Sequence, residues 1–403
     1  MRILFLSLWF PSPPDNGSKL RVLYLLRALG QMHAVSMLSF AFDNADVVAA
    51  EADVKCYQHV GIVTVNPFVA NHMNALRTFL SFSSVSDRSI PAMQQLANET
   101  LRQQSFDVVI ASTGMMATYA LQAPPSSFMI LEEHNSLTRW MRERYVAEVH
   151  PVQKVRCWLS WQKTRRYEAR LFNRFDLVTM VSQQDQAVCH ADLPGYRGRV
   201  EVVPNGVDYT HNRPGLASPQ PNRLVFNGSL TYSANYDAMR WFLAEVYPLI
   251  KAQQPAVSLT ITGALDGVDL RGLALDASVQ PTGFVEDVRL PVAEATVAVA
   301  PIRQGGGTRL KILEAMALGA PVVATTKGAE GLNVIDGEHL LLADTPQAFA
   351  LAVLTLLASE AARAELAAHA RRLVEAQYDW RKIGARFVAL VEQTVAARQA
   401  AFR

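Results

Sequence analysis

The feature that most constrains this chain is an alternation of short, unbroken apolar runs with helical stretches, sustained almost from end to end. Met1–Phe10, His33–Phe40, Gly61–Val65, Val108–Ala111, Phe128–Glu132, Asp176–Val181 and Val200–Val203 read as strands, and Leu20–Leu29 carries apolar residues at helical spacing. The runs are continuous rather than alternating with polar residues, the pattern of parallel strands covered on both faces. The plan then repeats. Leu224–Phe226, Ser258–Thr262, Val279–Thr282, Thr296–Ala300, Pro321–Ala324 and His339–Leu342 read as strands, with helical stretches such as Ala238–Leu249 and Leu310–Leu318 between them. Two successive βα arrays in 403 residues predict an α/β chain of two doubly wound Rossmann-like domains. Such folds place ligands at the carboxyl ends of their strands, in the cleft between two facing domains.

The boundary is expected at Pro204–Asn205–Gly206, with 1–203 as one domain and 204–384 as the other. Asn205–Gly206 reads as a hinge turn needing positive φ, and Arg213–Pro221 as a loop punctuated by three prolines. The stretch from Ala361 onward reads as helical, interrupted at Asp379 and Trp380, and the last helix, about 385–403, is expected to pack back on the first domain. Ser182 with Asp185 reads as a helix cap.

Composition excludes some classes. The 38 basic against 36 acidic residues leave a net charge of +2, which calls for no nucleic-acid partner. The three cysteines, Cys56, Cys157 and Cys189, are far apart; they show neither zinc-ligand spacing nor a closed disulfide framework, which predicts a reducing compartment. Pro11 interrupts the apolar opening, which reads as a buried strand rather than a signal peptide. No apolar run reaches the roughly 18 residues of a membrane helix, so a cytoplasmic location is expected.

The sharpest local pattern is Gly305–Gly306–Gly307–Thr308–Arg309–Leu310–Lys311, between a strand and a helix. Glycines let a ligand approach the backbone, and the free N–H groups and dipole of a helix start suit a phosphate. Thr308 is placed to cap the helix, and Gly319 to end it. Arg309 and Lys311 oppose the helix dipole, and a bound anion would explain them. The alternative is a plain turn, with Lys311 and Glu314 as a helical ion pair.

At these residues the chain resembles the group-1 glycosyltransferases, glycosyltransferase family 4, of GT-B fold. The resemblance runs through Pro13–Gly17, Phe175–Ser182, Val203–Asp208, Phe226–Ser229, Ile261–Gly263, Gly283–Val285 and, most specifically, Leu313–Val323. It implies two domains facing across a deep cleft, the first binding the acceptor and the second the nucleotide sugar. It further implies transfer with retention, without metal or cofactor, from a nucleotide diphosphate sugar, UDP-sugar favoured over GDP-sugar. Backbone N–H groups and cations would neutralise the leaving diphosphate. By the same resemblance Glu314 matches the carboxylate that holds the donor ribose. Gly17 matches the glycine reaching the diphosphate, and Gly228 with Ser229 lines the phosphate side. Val285 offers backbone groups to the base. Gly306, Gly307, Thr308 and Leu310 complete the donor set, and His134 lies near the transferred sugar. His134, Arg309 and Lys311 are the expected catalytic residues. Each carries a structural alternative: a turn glycine at Gly17, a buried valine at Val285, a helix cap at His134, for which Asn135 and Ser136 are better suited.

Two departures are visible. The family's first glutamate, separated from Glu314's equivalent by seven residues, falls on Gly306, and its arginine and lysine after the Gly228 position are missing from Leu230–Asn235. Arg309, as a fork onto two phosphate oxygens, and Lys311, as a point charge, are expected to supply that charge.

Residues 139–174 carry ten basic residues against Glu143, Glu148 and Glu168, with Trp140, Trp158, Leu159 and Trp161 interleaved. The stretch reads as a peripheral contact with the inner, anionic membrane face or as a solvated basic rim. Met73–Pro91 reads as acceptor-side surface. A glycan or lipid-linked acceptor, in polysaccharide or glycolipid assembly, is the expected partner. A nucleotide-sugar epimerase and a non-catalytic nucleotide-sugar-binding protein are the competing readings. A nicotinamide dehydrogenase would need a glycine fingerprint where Leu8–Pro13 stands.

Overall fold

The computed structural model describes residues 1–42, 58–68, 89–307 and 309–401. The chain divides into two compact units, Met1–Pro204 with Ile383–Arg403, and Asn205–Lys382. Each contains a wholly parallel sheet.

In the first unit the strands are β1 (Arg2–Ser7), β2 (Ala34–Ala41), β3 (His59–Thr64), β4 (Val108–Ser112), β5 (Phe128–Glu132), β6 (Leu177–Met180) and β7 (Val200–Val202). Their order is β3-β2-β1-β4-β5-β6-β7, so the winding reverses between β1 and β4. The apolar centres of these strands are fully buried, as at Ile3–Leu6 and Val108–Ala111. At or near their carboxyl ends the residues are different. Register aligns Ser39, Ser7, Ser112, Glu132 and Thr179 in one row across five strands, and all five are buried polar residues. A row of polar side chains under the carboxyl edge, at the switch point, is where an open α/β sheet builds its site.

The second unit contains β8 (Arg223–Asn227), β9 (Ser258–Thr262), β10 (Val279–Gly283), β11 (Val297–Ala300), β12 (Val322–Ala324) and β13 (Leu341–Leu342), in the order β10-β9-β8-β11-β12-β13. Both faces are covered. Leu224, Phe226, Leu259, Ile261 and Val299 join one apolar cluster, and the intervening Val225, Ala298, Ala300 and Val322 join the other. That division explains why the runs are continuous in sequence: successive side chains point to opposite faces, and each face meets helices.

All thirteen strands of the described residues fall where the apolar runs predicted them. The helix expected over Ala238–Leu249 is not one regular helix. It consists of Ser233–Trp241, a π-helical turn Phe242–Val246, and Tyr247–Gln253. Pro248 supplies the reason, because it offers no N–H and its ring crowds the carbonyl four residues back, which the wider turn relieves. Gly206 is a second correction: it is buried and is not among the glycines with positive φ.

The helical C-terminal stretch breaks at Tyr378–Asp379, between Glu360–Gln377 and Trp380–Ala401. The last helix packs on Gly17–Met32, where a Cβ on Gly384 would come within 2.7 Å of Ala28 Cβ. Arg398 also donates to Asp176 and to the carbonyls of Ser127 and Pro125. Among the described residues no helix is long and apolar enough to cross a membrane.

Candidate functional site

Each sheet carries its own cluster of polar residues at the carboxyl edge. In the second unit the turn after β11 has Gly305 at φ 92 and Gly307 at φ 83, a left-handed conformation open to glycine and costly to other residues. Thr308 lies outside the described residues. Arg309 occupies the cap position of the helix Leu310–Leu318, and its side chain does not cap the helix.

The arginine is not presented as an open fork. Arg309 is buried, and its guanidinium donates to the carbonyls of Gly306 (3.1 Å), Gln304 (3.3 Å) and Gly305 (2.6 Å). Burial explains the difference from the sequence expectation: a desolvated guanidinium must satisfy its N–H groups, and the loop carbonyls are nearest. Arg309 therefore braces the glycine turn and places its positive charge directly beneath it.

Lys311 reaches further. Its Nζ donates to Asn235 Oδ1 at 2.9 Å and sits 4.2 Å from the centre of the Phe226 ring. A Cβ built on Gly228 would lie 2.4 Å from that nitrogen and 2.9 Å from Asn235 Nδ2. The glycine after β8 is thus the residue that leaves room for the ammonium. Burial first, and the nearby Arg309 second, lower the Lys311 pKa to about 7, against an opposing pull from Glu314. The helical ion pair is not formed: Glu314 Oε2 instead accepts from Asn227 Nδ2 at 3.2 Å, and Asn227 Oδ1 accepts from Thr262 Oγ1 at 3.3 Å. Burial raises the Glu314 carboxyl above the usual range, with Lys311 and Asn227 opposing.

Ser229 Oγ donates to Ala264 O and meets Thr231 Oγ1, and the Ser229 carbonyl accepts from Asn235 Nδ2 at 2.7 Å. Asn235 therefore ties the loop after β8 to Lys311. Val285 is partly buried, two residues past β10 and beside the exposed Phe284. The turn after β11, the loop after β8 and the start of the helix Leu310–Leu318 thus gather Gly228, Ser229, Gly306, Gly307, Leu310, Lys311 and Glu314 on one edge; Val285 follows the neighbouring strand.

In the first unit Gly17 opens the helix Gly17–Met32, whose start is capped by Asn16 through Ser18 N and Lys19 N. His134 follows β5. Its Nε2 lies 3.1 Å from Glu132 Oε2 and 3.0 Å from Ser112 Oγ, its Nδ1 lies 3.2 Å from Ser18 Oγ, and its ring stacks on Trp9. His134 caps nothing; Ser136 does, accepting from Arg139 N at 3.2 Å. Glu132 is fully buried and Arg21 donates to its Oε1 at 2.5 Å. Burial alone would raise the Glu132 carboxyl; Arg21, His134 and Ser112 outweigh it and hold the group far below the usual range.

Behind this cluster Glu133 and Glu168 are buried together. Desolvation, then the charges of Glu168 and Glu132, pushes Glu133 well up. Desolvation raises Glu168 to about 7, although Thr138 donates to it twice. Among the described residues, no group of three or more His, Cys, Asp or Glu is placed to hold a metal ion.

Sequence reading missed Asn227, Asn235 and Thr262 in one unit, and Arg21, Ser18, Ser112 and Glu132 in the other, as members of these clusters. A signal existed for some. Asn227, Thr262, Ser112 and Glu132 are each the polar residue that ends an apolar strand run. Arg21 is a charge inside an otherwise apolar helical stripe.

The basic stretch 139–174 lies on two helices, Leu137–Ala147 and Pro151–Phe172. Trp161 is stacked on Tyr145 and is not a free surface residue. The exposed large apolar side chains are Val146, Val149, Val152 and Val155 around the connecting turn, with Trp140, Trp158 and Leu159. Met73–Pro91 lies outside the described residues except for 89–91.

Comparison with known proteins identifies the family and the fold. Residues 221–359 match the family model described as glycosyl transferases group 1, and residues 16–211 match glycosyltransferase family 4. An uncharacterized 44.6 kDa protein in the cps region of Klebsiella pneumoniae is 20% identical over 397 residues, covering 95% of this chain and 97% of that protein. A phosphatidyl-myo-inositol mannosyltransferase of Mycobacterium tuberculosis is 31% identical over 206 residues, 47% of this chain and 53% of the mannosyltransferase. This chain therefore matches only about half the length of that enzyme. Among solved structures, Anabaena HepE in complex with UDP is similar in fold, with a TM-score of 0.66 at 19% identity over 98% of this chain and 100% of that one. The chain belongs to the group-1 glycosyltransferases of glycosyltransferase family 4, with the two doubly wound Rossmann-like domains of the GT-B fold.

Proposed function

We propose that this glycosyltransferase moves a hexose-type sugar, with retention and without a metal, from a nucleotide diphosphate donor to a glycan or lipid-linked acceptor. The observation that carries this reading is the position of Lys311. Its ammonium is brought beside Gly228, next to the loop Leu230–Asn235 that lacks the family's arginine and lysine. A cation held there, with the uncapped start of the helix Leu310–Leu318 and the open turn at Gly306 and Gly307, suits the charge that develops on a leaving diphosphate. Glu314 Oε1 makes no hydrogen bond among the described residues, which suits a ribose hydroxyl. Arg309 acts in this reading by bracing the turn and adding to its field. Gly17, Ser229, Val285, Thr308 and Leu310 would contribute backbone groups to the donor, and His134 would meet the sugar.

Uridine is the favoured base over guanosine, consistent with the UDP bound by HepE, and the cps-region relative is consistent with polysaccharide or glycolipid assembly. The test is a panel of uridine, guanosine and adenosine diphosphate sugars, read by thermal shift and donor hydrolysis with and without EDTA. EDTA-insensitive release of one nucleoside diphosphate is expected. Absence of binding across the panel would remove the diphosphate site, and EDTA-sensitive release would remove metal independence. Retention is read from the anomeric configuration of the transferred sugar.

The valines at the turn between the helices Leu137–Ala147 and Pro151–Phe172, set among Arg144, Lys154 and Arg156, favour a peripheral contact with anionic lipid at the cytoplasmic membrane face. Flotation with anionic vesicles should be salt-sensitive and lost in Val149→Asp/Val152→Asp; equal flotation of both proteins would exclude this surface.

A further inference from the structure

The hydrogen-bond arrangement around His134 determines which of its two nitrogens is available to a ligand. Glu132 Oε1 is taken by Arg21 Nε at 2.5 Å, and Arg21 also donates to the Pro204 carbonyl at 3.2 Å. Arg21 and Glu132 are both buried, so the pair is held in one geometry. With Arg21 against it, Glu132 is an ionised carboxylate and can only accept. Ser112 has one hydroxyl proton, and it goes to Glu132 Oε2 at 2.7 Å. Every acceptor facing His134 Nε2 is then without a proton of its own: Glu132 Oε2 at 3.1 Å and the Ser112 oxygen at 3.0 Å. A lone pair on Nε2 would confront a carboxylate, so the proton must be there. On the other side, Nδ1 meets Ser18 Oγ at 3.2 Å, a hydroxyl that can donate to it.

We infer that Arg21 and Glu132 are positioning residues that lock His134 in its Nε2–H form, leaving the Nδ1 lone pair, facing Ser18, as a hydrogen-bond acceptor for a hydroxyl of the transferred sugar. For a neutral imidazole the proton count closes: Ser112 gives to Glu132, Nε2–H gives to Glu132 and Ser112, and Ser18 gives to Nδ1. A hydroxyl that replaces Ser18 must therefore donate. This favours a neutral sugar hydroxyl at this point and disfavours a carboxylate or phosphate oxygen, which would face the lone pair. Trp9, stacked on the ring at 5.9 Å between centroids, holds the imidazole plane while the nitrogen chemistry is set from behind. The sugar contact rests on the proposed function; the tautomer does not.

The test is ¹⁵N NMR of the full chain labelled at histidine nitrogens, in the absence of substrate, with His134→Gln used to identify the signal. His134 is expected to show a protonated Nε2 and an unprotonated Nδ1 at neutral pH. In Glu132→Gln the amide oxygen is expected to keep Arg21, turning the NH₂ toward Nε2, so the proton should move to Nδ1. A wild-type signal with the proton on Nδ1, or on both nitrogens, overturns the inference without recourse to any variant. An unchanged tautomer in a folded Glu132→Gln protein overturns the role of Glu132. Turnover separates the two readings. If Glu132→Gln moves the proton while donor hydrolysis falls at unchanged donor KM, the acceptor role stands. If the proton moves and turnover is unaffected, the sugar contact at Nδ1 is wrong although the tautomer is right.

Discussion

Replacing Lys311 by methionine tests the second-unit site directly. In the free protein the ammonium is partly buried, and its pKa falls from 10.5 to about 7. In an unfolded chain it would titrate near its ordinary value, so between those two pH values the unfolded state binds more protons than the fold. Wild-type stability must then rise with pH, from the lower value toward the upper. Integrating this difference gives a gain of about 2.5 kcal/mol between roughly pH 6.5 and pH 9. For a unit of this size the gain is about 5–10 °C in melting temperature. Lys311→Met removes the titration but also the hydrogen bond to Asn235 and the contact with Phe226. Those losses shift the variant at every pH alike, so the pH dependence isolates the buried charge. Thermal melts of both proteins should show a methionine advantage that shrinks steadily as pH rises. A difference independent of pH would refute the buried, pKa-depressed lysine. A nucleoside diphosphate should reverse the depression, because its charge restores the proton. Its affinity for the wild type should weaken above about pH 7, by up to tenfold per pH unit, and Lys311→Met should show no such slope.

Glu168 has the opposite sign. Its folded pKa is raised from 4.5 to about 7, so its contribution is complete below the lower value and is lost as pH rises through the upper. Glu168→Gln, able to keep an oxygen for Thr138, should match the wild type near pH 4 and exceed it by up to about 3 kcal/mol at pH 8; denaturation that shows equal stability at both pH values would exclude a neutral buried Glu168. Gly263 stands at φ 114 with Ser229 N only 2.5 Å from where a Cβ would sit. Gly263→Ala should destabilise the second unit by about 2 kcal/mol or more, seen as a lowered melting transition. Arg309→Ala leaves the carbonyls of Gln304, Gly305 and Gly306 without their donor, and should reduce turnover at least tenfold with a rise in donor KM; unchanged kinetics would show that the turn needs no brace.

The glycine turn illustrates how far the chain could be read without coordinates. Three glycines between an apolar run and a helical one predicted a strand, a tight turn and a helix start, because backbone freedom and periodicity are local properties. The same text could not say what Arg309 does. A guanidinium beside open loop carbonyls and one aimed at a ligand have the same neighbours in sequence, and burial decides between them. Lys311 is similar. Its partner by helical spacing is Glu314, and its partner in space is Asn235, 76 residues away, brought there by the loop after β8.

What the sequence by itself determined is the architecture: thirteen apolar runs, their two series, and the polar residues that end them. It also carried the family, because the motif Leu313–Val323 and the turns around it are contiguous patterns. The protonation and direction of the site residues were decided only by tertiary structure. Arg21, Ser112, Glu132 and His134 lie on a helix, two strands and a strand-end loop, and only the register of a parallel sheet puts Ser112 opposite Glu132. Electrostatic coupling depends on distance and burial rather than on order along the chain, so it appears only once the sheet has placed these groups together.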